Sequence, residues 1–282
     1  LFVKTVGLEF LEEQDRSELK IVLVSTSKNE VVADDHGQKP LANNESFDSS
    51  KKALNRTERG SILVAIDPGH GGKDPGAIAS GYKESELMLT LAKELKDEIM
   101  RNENLDVILT RSDDSFLSLN DRISLANNRG VDVFISLHAD IVEKGFAEGV
   151  TIYTLSINPT DQISFDLAVR HNRNEILLGS DLYGLDDKTT SLLIDLAHRE
   201  TSALSEALAK KTIKKLKAYK LETNRTALRR AEFLVLKSPE IPSILIEAGF
   251  LSTKNDLENL LNSEWRKRFA TAVSEAIKEW GM

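Results

Sequence analysis

The sequence predicts an α/β domain: a mostly parallel, mixed and twisted sheet with helices on both faces, forming one domain over residues 61–282 that carries a helical insertion. Two patterns lead there. Short continuous apolar runs stop at Pro, Gly or polar residues, as strands buried on both faces do. Between them lie longer stretches with apolar residues at helical spacing among Lys and Glu, and this alternation of types builds layered α/β folds.

In chain order, residues 1–25 contain two short β-like runs, Leu1-Phe2-Val3 onward to Phe10 and Leu19-Lys20-Ile21-Val22-Leu23-Val24. They are too little to fold alone and read as the remnant of an upstream β domain. Residues 26–60, rich in Ser, Asn, Asp and Lys without apolar periodicity, read as a flexible linker. Ile62-Leu63-Val64-Ala65-Ile66 then gives a buried parallel strand ending at Asp67-Pro68-Gly69. Residues 86–100 place Leu87, Leu89, Leu91, Leu95 and Ile99 among Lys and Glu at helical spacing. A strand over Val107-Ile108-Leu109, a helix over 117–128, and a strand from Val131 to Leu137 follow. Residues 149–155 alternate as a further strand, 189–219 form a long helix, 233–236 and 243–246 are strands, and 256–280 close the chain as one or two helices. Residues 156–187 fit this alternation poorly and read as an insertion.

Composition narrows the chemistry. The net charge of −8 argues against a nucleic-acid partner, which demands a concentrated basic surface. The Lys-rich residues 210–220 have the period of a solvated helix face. Without cysteine there are no disulfides, thiolate metal sites or cysteine nucleophiles, so any metal must be held by His and carboxylates. No stretch approaches the ~20 apolar residues of a membrane span. The chain opens on Leu1 without a charged leader and apolar core, and reads as a fragment or processed form whose targeting segment is absent.

Four residues stand out: His70, Glu84, His138 and Glu247. Three of them close apolar runs, and open α/β sheets build sites outside the carboxyl ends of strands. His70 lies in Asp67-Pro68-Gly69-His70-Gly71-Gly72. The glycines there either cradle a phosphate or keep bulk away from a metal; a phosphate loop would add a Lys and a Ser or Thr opening a helix. His138, in Ser136-Leu137-His138-Ala139-Asp140, is either a hydrogen-bonded core histidine or a second ligand. Asp67 or Asp140 is expected to accept a ring N–H and fix the tautomer. Glu84 opens a helix, where an acid also complements the dipole, and spacing alone does not choose it over Glu86. Glu247 ends the apolar Ser243-Ile244-Leu245-Ile246 run, where desolvation raises a carboxyl pKa towards that of a general base. A buried ion pair with Arg111, Arg122 or Arg230 is the competing account.

These contexts, with Thr110-Arg111, Arg122 and Ala126-Asn127, Phe134-Ile135-Ser136 and Ala248-Gly249-Phe250, resemble the zinc-dependent N-acetylmuramoyl-L-alanine amidases of the Gram-negative cell-division type, over residues 62 to about 280. The resemblance implies one Zn2+ held by His70, Glu84 and His138, and Glu247 as the catalytic carboxylate. It implies a periplasmic hydrolase that cuts the amide between N-acetylmuramic acid and L-alanine of peptidoglycan. It further implies that the insertion carries a helix lying over the zinc until an activator protein displaces it. Residues 165–176 read as that helix. His171 and Glu175, four apart on one face, are the candidate blocking ligands, with Glu175 preferred. The family pattern would put a Glu beside Asn172, where this chain has His171. The same metal set would also serve a zinc carboxypeptidase or deacetylase, and a catalytically silent wall-binding module is the alternative of a different class.

Overall fold

The computed structural model describes residues 2–13, 16–26, 60–142, 147–177 and 188–281, with side chains described within 60–142, 147–172 and 201–281. The chain divides into two compact units, Leu1–Ser50 and Lys51–Met282. In the first, β1 (Phe2–Glu13) and β2 (Arg16–Thr26) pair antiparallel, with Phe10 opposite Leu19. The linker expected over residues 26–60 falls almost entirely outside the described residues.

The second unit alternates strands and helices. It begins with β3 (Ile62–Pro68), a small antiparallel ribbon of β4 (Ile78–Ala79) and β5 (Tyr82–Lys83), and α1 (Glu84–Ile99). Next come β6 (Leu105–Leu109), α2 (Leu119–Arg129), β7 (Val133–His138) and β8 (Val150–Leu155). The insertion contributes α3 (Gln162–Leu177), and α4 (Lys188–Ala218) follows. β9 (Thr223–Ala231), a 3-10 turn (Leu234–Leu236), β10 (Ser243–Glu247), α5 (Lys254–Leu261) and α6 (Ser263–Gly281) complete the chain. The six-stranded sheet runs β6-β3-β7-β10-β8-β9, with only the β10–β8 pairing antiparallel.

Strand alternation sorts the side chains onto two covered faces. Ile62, Val64 and Ile66 of β3, Val133, Ile135 and Leu137 of β7, and Ile244 and Ile246 of β10 pack on one face against α1, α4, α5 and α6. Helix α1 meets them with Met88, Leu91, Ala92, Leu95 and Ile99, spaced so that one stripe faces the sheet. Ala65, Phe134, Leu245 and Tyr153 point the other way, into a smaller layer that includes Leu119 and Ala126 of α2, Leu167 and Ala168 of α3, and the 3-10 turn. Helix α2 starts at Ser118, whose Oγ accepts from the Asp121 amide, a cap that typically stabilises a helix by ~1 kcal/mol.

The structure departs from the expected elements at the β4–β5 ribbon, which was not expected, and again before β10. Residues 233–236, expected as a strand, form the 3-10 turn, while the adjoining strand is β9, Thr-Asn-Arg-Thr-Ala-Leu-Arg-Arg-Ala. β9 is one of the two edge strands of the sheet. Polar and charged side chains suit an edge, because they discourage pairing with another chain, and they conceal the strand from an apolar pattern. The Phe233, Val235 and Leu236 side chains are buried without pairing in the sheet; a short apolar run alone does not distinguish the two outcomes.

Candidate active site

Three neighbouring parallel strands end together. Pro68 of β3 lies in register with Leu137 of β7, and His138 of β7 with Glu247 of β10. The carboxyl ends of these strands are where an open α/β sheet places its ligand crevice. His70, two residues past β3, sits at φ 60°, in the left-handed region that a non-glycine residue rarely adopts. Two buried arginines fix the turn around it. Arg111 donates to the carbonyls of Pro68, Gly69 and Ser85, and Arg122 to those of Pro68, His70 and Leu117. Arg122 also pairs with Asp67 at 2.7 Å, both groups fully buried.

Glu84 stands between the two histidines. Its Oε2 lies 3.2 Å from His70 Nε2, and its Oε1 lies 3.0 Å from His138 Nδ1. Although Glu84 opens α1, its carboxylate turns inward and accepts from the Ala77 and Ala139 amides. Glu86, by contrast, pairs at the surface with Lys83. Two glycines make the room. A Cβ on Gly69 would fall 2.2 Å from His138 Cε1, and one on Gly76 would fall 2.6 Å from His70 Cδ2 and 2.7 Å from Glu84 Oε2. Burial opposes charge on Glu84, yet His70 and His138 hold its carboxyl well below the usual range. Burial likewise opposes charge on His70, and the Glu84 and Asp74 carboxylates overcome it, holding its pKa well above the ordinary value. His138 is pushed down to about 4, by burial first and then by His171.

Asp74 supplies what the sequence reading sought elsewhere. Its Oδ2 lies 2.7 Å from His70 Nδ1, which commits that nitrogen to donating and turns Nε2 towards Glu84. Nε2 is buried without a hydrogen-bond partner. Asp67, expected to orient a histidine, instead accepts from Thr110, Arg122 and Ser136. Asp140, the other expected acceptor, lies 3.2 Å from His171 Nε2 and accepts two bonds from Arg170.

Glu247 is fully buried, and burial raises its pKa above the ordinary value. Its Oε2 accepts from the Asp140 amide at 3.1 Å, while Oε1 is buried with no hydrogen-bond partner. The three arginines weighed as ion-pair partners are engaged elsewhere: Arg111 and Arg122 at the β3 turn, Arg230 with Glu206.

Helix α3 brings His171 over this cluster. Its Nε2 is 3.6 Å from Glu247 Oε1, and its ring centroid is 4.4 Å from that of His138 and 5.6 Å from that of His70. One donor atom from each of His70, His138 and His171 lies within 4.8 Å of the other two, so the three could hold a metal ion. Among the described residues, then, the structure brings His70, Glu84, His138, Glu247, Asp140 and His171 together. Glu175 lies on α3 with its side chain outside the described residues. Sequence reasoning missed Asp74, although its position four residues after His70 was a usable sign, and the competing account of Glu247, an ion pair with Arg111, Arg122 or Arg230, is not what the structure shows.

Comparison with known proteins agrees with this geometry. Residues 64–279 match the sequence model of a family described as N-acetylmuramoyl-L-alanine amidase. The chain is 36% identical over 221 residues to N-acetylmuramoyl-L-alanine amidase AmiA of Escherichia coli, an alignment covering 77% of this chain and 75% of AmiA. It is 32% identical over 223 residues to AmiC of Escherichia coli O6:H1, covering 78% of this chain and 52% of AmiC, so it spans about half of that protein. Among solved structures, the catalytic domain of CwlV, an N-acetylmuramoyl-L-alanine amidase from Bacillus (Paenibacillus) polymyxa, is 25% identical with a TM-score of 0.56, covering 78% of this chain and 97% of that one. AmiC2 of Nostoc punctiforme is 25% identical with a TM-score of 0.54, covering 78% and 98%. Sheet, strand-end cluster and relatives together define an enzyme that hydrolyses a peptidoglycan amide. More narrowly, the chain belongs to the N-acetylmuramoyl-L-alanine amidase family.

Proposed function

We propose that this amidase is zinc-dependent, acts in the periplasm in wall remodelling and daughter-cell separation, and is held inactive by its own insertion until an activator protein displaces α3. The observation that carries the reading is Glu84 standing between His70 and His138 at the ends of parallel strands, with Glu247 beside them. Two imidazoles and a carboxylate are a catalytic zinc donor set that keeps a position open. The unpartnered, buried His70 Nε2 fits that use, with Asp74 fixing the tautomer. Zinc so held supplies Lewis acidity, polarising the scissile carbonyl and acidifying water.

The chain's own groups do the rest. Glu247, whose carboxyl is raised by burial, takes a proton from the attacking water and returns it to the departing nitrogen. Water is thereby divided between a lactyl carboxylate and the free amine of L-alanine, with the glycan strand left intact. Asp140 positions Glu247 through its backbone amide. A crevice of about 190 Å3 between Ala77, Ile141 and Arg170 remains beside the cluster. We assign residues 1–25 to an upstream β domain and 26–60 to a linker.

Digestion of purified sacculi by the zinc-loaded chain, with product mass spectrometry and metal analysis, tests the reading. Stem peptides beginning with L-alanine are expected. Trimmed stem peptides or deacetylated glycan in their place would overturn it. Deleting residues 164–184 should raise activity without an activator, and a folded deletion no faster than the parent would refute self-inhibition.

A further inference from the structure

We propose that Asp140 binds substrate: together with Glu247 its carboxylate brackets the departing nitrogen, accepting the N–H of the scissile amide as the bond breaks. The inference rests on Glu247 acting as the proton carrier, as read above, and adds a second carboxylate at the same atom.

A nitrogen already occupies that point. His171 Nε2 lies 3.2 Å from Asp140 Oδ2 and 3.6 Å from Glu247 Oε1, so one atom stands between the two carboxylates. A donor atom of His171 is also within 4.8 Å of donor atoms of His70 and His138, which puts the point beside the proposed zinc ligands. Glu247 Oε1 is buried without a hydrogen-bond partner, a costly state that an incoming donor relieves. Asp140 is fixed to face the same place. Its Oδ1 accepts from the Ile141 amide at 2.6 Å, and Oδ2 accepts from Arg170 Nε and Nη2 at 3.1 and 2.8 Å. Its backbone amide holds Glu247 Oε2 at 3.1 Å, which locks the two carboxylates together. Asp140 and His70 line one crevice, together with Arg170 and His171 of α3.

When α3 is withdrawn, Arg170 and His171 leave Asp140, and a buried carboxylate without donors is costly. The scissile amide brings one N–H to that place. Glu247 passes its proton to the nitrogen, the electron pair of the breaking C–N bond leaves with it, and the amide's own hydrogen stays on nitrogen, bonded to Asp140. Positive charge grows on the nitrogen as the proton arrives, so a fixed carboxylate there favours the transition state over the bound amide. The competing account makes the Asp140 side chain a tether for α3 alone. A tether explains the Arg170 pair, but not why Glu247 Oε1 converges on the same nitrogen with no other donor. Substitution at 140 tests the carboxylate by itself, because any residue but proline there keeps the amide that holds Glu247.

The test uses the full chain carrying Arg170→Ala/His171→Ala, which empties the point, and adds Asp140→Asn or Asp140→Ala. Zinc content and folding by circular dichroism are checked for each. Two quantities are then read: kcat and KM on a soluble muramoyl peptide, and calorimetric binding of an L-alanyl stem peptide with its amine free or acetylated. Either Asp140 substitution should lower kcat by roughly 10–100-fold, the share of a hydrogen bond to a charged group, with zinc retained. The background should prefer the free amine, and replacing Asp140 should abolish that preference. An unchanged kcat or an unchanged amine preference reduces Asp140 to a tether and overturns the proposal. Loss of zinc in both Asp140 variants, or a background indifferent to the free amine, overturns it too. Parental rate in Glu247→Gln would instead sink the reading it rests on; a slow Glu247→Gln beside an indifferent Asp140 sinks this inference alone.

Discussion

At the scale of single residues, the site divides its carboxylates by environment. Glu84 is held ionised between two imidazoles, whereas Glu247 is raised by burial and keeps one oxygen unengaged. A ligand and a proton carrier need those opposite states. Glu247→Gln should therefore keep zinc while lowering the rate of dye release from labelled sacculi by about 10²–10⁴-fold, the usual share of general acid–base catalysis; a variant near parental rate would remove Glu247 from the mechanism. Asp74→Ala frees the His70 tautomer and should weaken zinc retention by roughly 10–100-fold, measured by chelator competition; unchanged retention would mean that His70 needs no orienting partner. His70, His138 and Glu247 were legible in the sequence because each closes an apolar run, which is a pattern of polarity. Glu84 was not, since its dipole-complementing position and its inward-turned carboxylate look alike until the fold turns it between the histidines. The orienting acid was misread for a related reason: Asp67 is nearer in sequence, but a buried guanidinium claims it.

At the scale of elements, α3 is held by side chains, and under the proposed self-inhibition those contacts are where it would be released. Asn172 bridges the backbone at Glu232 and Leu234 with both ends of its amide. Asn172→Ala removes both bonds, each typically worth about 0.5–1.5 kcal/mol, and should raise the basal hydrolysis of sacculi without an activator. Unchanged basal activity in the folded variant would show that α3 is held by other means. The element pattern was largely readable where strands are buried on both faces, as in β3, β7 and β10, whose apolar runs are continuous. It failed at β9, where the edge position demands polar side chains and erases the signal being read.

At the scale of the whole molecule, one acid ties distant segments together. Asp256 of α5 accepts from the Gly149 amide just before β8 and from the Phe250 amide just after β10. Burial pushes its carboxyl up to about 6 from the ordinary value of 3.8. The folded chain thus binds this proton more tightly than the unfolded chain does. The corresponding stability is complete below about pH 4 and is lost as pH rises through about 6. The difference of about two pKa units is worth up to about 3 kcal/mol. Urea unfolding of the parent should show this decline between pH 4 and 6.5, and Asp256→Asn should flatten it; parallel profiles would assign the dependence to other groups. The two-face layering that α5 completes was legible in outline from alternating strands and helices, whereas this long-range tie was not, because nothing in the sequence pairs Asp256 with Gly149.

The close packing around Gly69 and Gly76 has a consequence for how such a chain can diversify. Neither position admits even a methyl group without striking an imidazole or the carboxylate between them. The cutting machinery is consequently locked against small edits. The insertion is not, because α3 still carries exposed Phe165 and Val169 on its outer side. Descendants of this sequence are free to vary that outer side of α3, while the packing around the two glycines stays fixed.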